Sequence, residues 1–126
     1  MKRIWTGMVL LALLPVLGFL LQSAMDNLHT PAANALEQAS EAALAEDWYS
    51  ADALLAKAQQ LWEKNYDLTA AVADHAPMEE VDTLFAELAV YSRRQEAVHF
   101  ASTGVHLARL IRAVGEAHRF DLRNIL

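Results

Sequence analysis

The chain has 126 residues, 55% of them hydrophobic, with 16 acidic against 10 basic side chains, a formal net charge of −6, and no cysteine. That length is one domain plus a leader. The acidity argues against a DNA- or RNA-binding surface, which needs a positive footprint, and without cysteine there is no lipidated thiol and no disulfide staple. The charge is also uneven. Residues 26–87 hold 13 acids against Lys57 and Lys64, whereas residues 88–126 hold six arginines against Glu96, Glu116 and Asp121. An acidic domain is repelled by an anionic lipid surface and kept soluble by its charge, and attraction between its acidic and basic parts favours helix pairing.

The first element is an unbroken apolar run over residues 4–21, preceded by Lys2 and Arg3. Eighteen residues, at about 1.5 Å each in a helix, reach about 27 Å, close to the roughly 30 Å hydrocarbon core of a bilayer. Lys2 and Arg3 flank it on one side and the next basic residue is Lys57, so the positive-inside rule places the N-terminus in the cytoplasm and the rest of the chain outside. The run exceeds the roughly 7–15 apolar residues of a secretory signal, and Leu21-x-Ser23 and Gln22-x-Ala24 are poor cleavage sites, which favours an uncleaved anchor. Pro15 and Gly18 weaken the helix and leave the secreted alternative open, although membrane helices tolerate both. The division predicted is an anchor or signal peptide over residues 1–25, a polar linker over 26–30 and an extracytoplasmic helical domain over 31–126.

Thr30-Pro31 reads as a cap followed by proline at the first helical position, opening a helix to Leu44 with a contact stripe of Leu36, Ala39, Ala43 and Leu44. Glu46-Asp47 is a tight turn, with Asp47 capping a long second helix over residues 48–73. There Ala51, Leu54, Leu55, Ala58, Leu61, Trp62, Leu68 and Val72 recur at three- and four-residue spacing. Asp74-His75-Ala76-Pro77 breaks the pattern. A third helix over residues 77–93 presents Met78, Val81, Leu84, Phe85, Leu88 and Tyr91. A fourth over 96–117 presents Val98, Ala101, Val105, Ala108, Ile111 and Val114, and the tail 118–126 has no strong period. The predicted fold class is all-α: a transmembrane helix, then a compact antiparallel bundle of about four helices joined by short turns.

Two resemblances bear on this architecture. Ala39, Ala43, Glu46-Asp47-Trp48, Ala51, Leu55, Ala58 and Trp62 resemble one tetratricopeptide-type hairpin over residues 35–66, where small residues mark close crossings and an aromatic follows the turn. A single such unit cannot bury its own face and stable arrays need at least three; no second copy follows, so the reading is one hairpin of that shape beside a second hairpin, and not a repeat array. Over nearly its full length the chain resembles the family known as domain of unknown function 4363, small single-pass bacterial proteins. The shared features are Met1-Lys2-Arg3 with its apolar run, Leu61-Trp62-Glu63-Lys64-Asn65, Asp74-His75 followed by Val81-Asp82, and Leu122-Arg123-Asn124-Ile125-Leu126. The resemblance implies the anchor and the helical outer domain, and brings no activity with it.

Among polar residues, Asp74, His75, Glu79 and Asp82 form the one candidate metal or ligand group, because Asp82 lies two helical turns after His75. The structural alternative is that His75 or Asp74 caps the third helix while Asp82 bonds a neighbouring helix or its own backbone. His99 and His106 are seven apart, with His118 beyond, a wider spacing than zinc-binding pairs on a helix use. Gly104, alone in a helix, reads as a close crossing. Trp48 and Trp62 are interaction candidates for a peptide or glycan groove, or else core. No nucleophile–base arrangement or glycine-rich phosphate loop is present, and no cofactor or nucleic acid is expected. The expected function is a non-catalytic, membrane-tethered module that binds an extracytoplasmic protein. The alternative is a ligand- or metal-binding sensor or accessory domain using Asp74, His75 and Asp82.

Overall fold

The computed structural model describes the backbone of residues 2–72 and 75–125, and the side chains of these except 21–28, 68, 71–72, 75 and 116–125. Every element among the described residues is helical: α1 Lys2–Leu44, α2 Trp48–Lys64, α3 Tyr66–Val72, α4 His75–Arg93 and α5 Ala97–Ile125. α1 packs along both α2 and α5, α4 packs along α5, and a thinner contact joins α2 to α4. Cross-helix pairs fix the directions. Glu37 meets Arg112, Trp62 meets Asp82, and Glu80 meets His106, so each neighbour in the ring α1–α2–α4–α5 runs antiparallel to the next. This is an up-down-up-down four-helix bundle with α1 extended beyond it as an apolar leader.

The leader and the first bundle helix are a single element, which corrects the predicted start at Thr30-Pro31 and the predicted linker over 26–30. Both Thr30 and Pro31 lie inside α1. Proline at position 31 removes one N–H from the helical ladder, but burial on both sides of it holds the helix together: His29, Ala32, Ala33, Ala35 and Leu36 are all buried. The core thus begins by residue 29. Leu44, expected in the contact stripe, is 58% exposed, because the chain is already turning away.

The α1–α5 seam is made of small residues. Ala32, Leu36, Ala39, Ser40 and Ala43 face a helix carrying Gly104, Ala108 and Gly115. A Cβ at Gly104 would collide with Ser40 Oγ, which itself donates to Leu36 O at 2.9 Å. A Cβ at Gly115 would lie 3.0 Å from the His29 ring. Gly104 is therefore a close crossing, as its isolation within a helix implied.

On α2, Ala51, Leu55, Ala58 and Trp62 form the buried stripe, and on α4 Met78, Val81, Leu84, Phe85 and Leu88 do the same. The second helix does not run unbroken to residue 73. Asn65 stops it by donating from its side-chain amide to Leu61 O at 3.0 Å, while its own carbonyl accepts from Thr69. Such local bonds compete with the helical ladder, which is why asparagine favours helix ends. On α5 the buried positions are Phe100, Ala101, Gly104, Leu107, Ala108, Ile111 and Val114, whereas Val98 is 72% exposed and Val105 lies at the margin. The predicted stripe is rotated because Phe100 goes inward, meeting Trp48 edge-on at 5.6 Å between ring centres. The backbone of the tail, expected without strong period, continues α5 to Ile125.

Both hairpin turns use the same device. Asp47 N–H bonds to Ala42 O and Glu46 N–H to Ala43 O. In the second turn Glu96 N–H bonds to Tyr91 O and Gln95 N–H to Ser92 O. This pair of bonds, six-to-one and five-to-two, closes a helix with one left-handed residue. Those residues are Glu46 (φ 60°) and Gln95 (φ 51°), neither of them glycine. Asp47 then caps α2 by accepting from Ser50 N–H at 3.2 Å, as predicted.

Two outcomes follow from these packing details. Glu46→Gly and Gln95→Gly each relieve left-handed strain and should raise stability by about 0.5–1 kcal/mol in urea unfolding, the gain being reduced by glycine's freer unfolded state. Gly104→Ala should be poorly tolerated alone despite its better helix propensity. Combined with Ser40→Ala it should recover, with a coupling of about 1 kcal/mol or more in a double-mutant cycle.

Candidate functional site

The least packed side of the ring, between α2 and α4, carries the most varied chemistry. Trp62 sits four residues beyond Ala58 on the inward stripe of α2 and is only 2% exposed. Buried indole N–H groups need an acceptor, and Trp62 Nε1 donates to Asp82 Oδ1 at 3.2 Å across the gap. Tyr66, at the start of α3, meets the indole edge-on at 6.1 Å, and His29 lies tilted against it at 6.0 Å. Ser92 Oγ donates to Asp52 at the other end of the same gap. Two polar clasps thus hold α2 to α4 where apolar packing is thin. Between them lies a groove of roughly 440 Å³ lined by Gln59, Trp62, Glu63, Tyr66, Asp82, Phe85, Ala86 and Ala89. A second hollow, of roughly 350 Å³, lies between α1 and α2 and is lined by Thr30, Pro31, Asn34, Ala35, Gln38 and Lys57.

On the opposite side Arg112 is paired with Glu37 and also donates to Asn34 Oδ1 at 3.0 Å. The Arg112 hydrogen bond holds the Glu37 carboxyl below its ordinary value, with help from the charges of Arg112 and Arg109, and Glu37 in turn raises Arg112. The Ser50 hydrogen bonds lower Asp47. The Arg112–Glu37 pair ties α5 to α1, the attraction expected from the split charge, and Glu80 lies 3.7 Å from His106 across α4 and α5.

The predicted site residues are distributed as follows. Asp74 lies outside the described residues, as do the side chains of His75 and His118. Glu79 is exposed on α4. Asp82 is engaged by Trp62, the neighbouring-helix bond foreseen as its structural role. Among the described residues no three His, Asp or Glu side chains gather as metal ligands. His99 packs against Tyr91 at 5.4 Å and His106 against Glu80, so each serves the α4–α5 contact. Trp48 is half-buried on Phe100. Trp62 does not open its face to a groove; it is core, and lines the hollow from within. Sequence reasoning missed Gln59, Glu63, Tyr66, Phe85, Ala86 and Ala89. No signal in the sequence marked them as a group, because they come together only once α2 is placed opposite α4.

These elements define a small all-α protein, an antiparallel four-helix bundle led by an apolar helix. The chain belongs to the family described as Domain of unknown function (DUF4363), which matches residues 19–125, the bundle together with the end of the apolar run. No curated protein and no solved structure matches it.

Glu37 gives a pH prediction. Its carboxyl is depressed below 4.5, so its stabilising contribution is complete above that pH and is lost as pH falls through the lower, folded-state value. Thermal unfolding of the wild type should weaken on acidification below about pH 4.5, and Glu37→Gln should flatten that decline.

Proposed function

We propose that this chain is a membrane-tethered domain that stands outside the cytoplasm and binds another protein, with no catalysis of its own. The observation that carries the reading is the state of the leader. Lys2–Leu20 is helical, has a mean hydropathy of 1.9 and is nowhere buried. Ile4, Trp5, Met8, Leu11, Leu14 and Phe19 all stand exposed. By length and composition such a helix suits an anchor or a signal sequence. An apolar surface this long needs cover that the bundle does not give it, and a bilayer supplies it. Lys2 and Arg3 at its start orient the bundle outward. The binding role draws on the loosely packed α2–α4 side, where aromatic and acidic groups share one groove.

The experiment is fractionation of a C-terminally tagged protein, external protease treatment and the mass of the mature chain, followed by photo-crosslinkers at Gln59, Glu63, Gln38 and Arg109 in the native cell. A full-length, membrane-bound, protease-accessible product that crosslinks to one protein is expected. A shortened chain beginning near Met25 would overturn the tether, and a chain that crosslinks to nothing from any of the four positions would overturn the binding role.

A further inference from the structure

The groove between α2 and α4 specifies what fits it. Phe85 and Trp62 lie buried beneath it, Tyr66 is half-buried at its side, and one wall is lowered by the exposed Ala86 and Ala89. Glu63 and Asp82 bring negative charge, and among the described residues no basic one lines it. The flanking surface reinforces the sign. From Trp48 to Arg93 the sequence holds eight acids against three bases, and Asp52 and Glu79 are exposed. Of the three bases, Lys57 lines the other hollow, between α1 and α2, and Lys64 is exposed at the end of α2, outside the groove's lining. Arg93 lies at the end of α4.

We propose that this groove docks a basic amphipathic helix of the partner protein. The inference rests on the protein-binding reading above and names the surface and the chemistry of the partner. The occupant is a helix because both walls are helices, and the groove has no strand edge to which an extended peptide could add. Ala86 and Ala89 let its backbone approach closely, as small residues do at tight helix crossings. The lining spans residues 82–89 of α4 and, facing them, 59–63 of α2 with Tyr66 of α3, about two turns on each side, so the partner contributes an apolar stripe of two to three turns over Tyr66, Ala86 and Ala89. Lysine or arginine at the edges of that stripe meets Glu63 and Asp82, where opposite charge selects the partner and speeds the encounter.

The test uses the full chain in non-ionic detergent micelles with two designed probes: an amphipathic helical peptide of leucine and lysine, and its twin with glutamate in place of lysine. Binding of the lysine peptide alone is expected, with backbone amide signals moving in residues 59–66 and 82–89. Glu63→Lys and Ala86→Arg should each weaken it roughly tenfold or more, while Gln38→Arg leaves it unchanged. Circular dichroism confirms that each variant is folded, and Ala89→Arg replaces Ala86→Arg if the latter is not. Equal binding of both peptides, unchanged affinity in Glu63→Lys and the arginine variant, signals centred on α1 and α5, or no binding at all would each overturn the proposal. The wider reading survives that failure when the crosslinkers at Gln38 or Arg109 capture a neighbour, and falls only when all four positions stay silent.

Discussion

The bundle depends on how closely α1 and α5 approach. Gly104 leaves room for Ser40, Gly115 leaves room for His29, and α1 buries alanines at positions 32, 33, 39 and 43. Small residues let two helices share a long, tight seam, in which many weak dispersion contacts add up. Once that seam is set, the two flanking helices have fixed seats: α2 lies on the other side of α1, and α4 on the other side of α5. The large side chains, Trp62, Phe100, Phe85 and Leu88, then fill the space the seam leaves. The Glu37–Arg112 pair marks the outside of the same seam and orients it; being partly exposed it selects alignment more than it adds energy.

Much of this was legible in the sequence because helical periodicity is a strong signal. The stripes of α2 and α4 read correctly from Ala51 to Trp62 and from Met78 to Leu88, and the Asp47 cap was recognisable from its residue type and position. The errors arose where tertiary contacts overrode local signals. Thr30-Pro31 has the chemistry of a helix start, yet burial of His29 on one side and Ala32 and Ala33 on the other keeps the helix running through it. Asn65 looked like one more helical position, but its side chain found a backbone carbonyl. On α5 two apolar stripes lie side by side, and periodicity alone does not decide between Val98-Val105 and Phe100-Leu107; the contact of Phe100 with Trp48 does.

The candidate site was less legible for a physical reason. A groove between two helices is made by what is missing, and the alanines at 86 and 89 signal nothing until α2 is placed opposite them. The tryptophans and acids drew attention as single residues, but the structure divides their tasks. Trp62 gives its ring to the core and its N–H to Asp82. Asp82 therefore does two things at once, satisfying a buried donor and leaving negative charge on the rim. The most thinly packed side of the ring is held by hydrogen bonds instead, and its acids Glu63 and Asp82 stay exposed.

The lack of any break in α1 has a mechanical consequence. A polar linker would act as a swivel, letting the bundle turn while the leader stayed still. A continuous helix carries torque. A rotation of residues 2–20 about their own axis would turn the face bearing Ala32, Leu36 and Ala39 through the same angle, and with it the three helices packed on that face. The soft points are Pro15, within the leader, and Pro31, where the shaft enters the core, each lacking one rung of the hydrogen-bond ladder. The leader thus fixes the compass bearing of the bundle as well as its position.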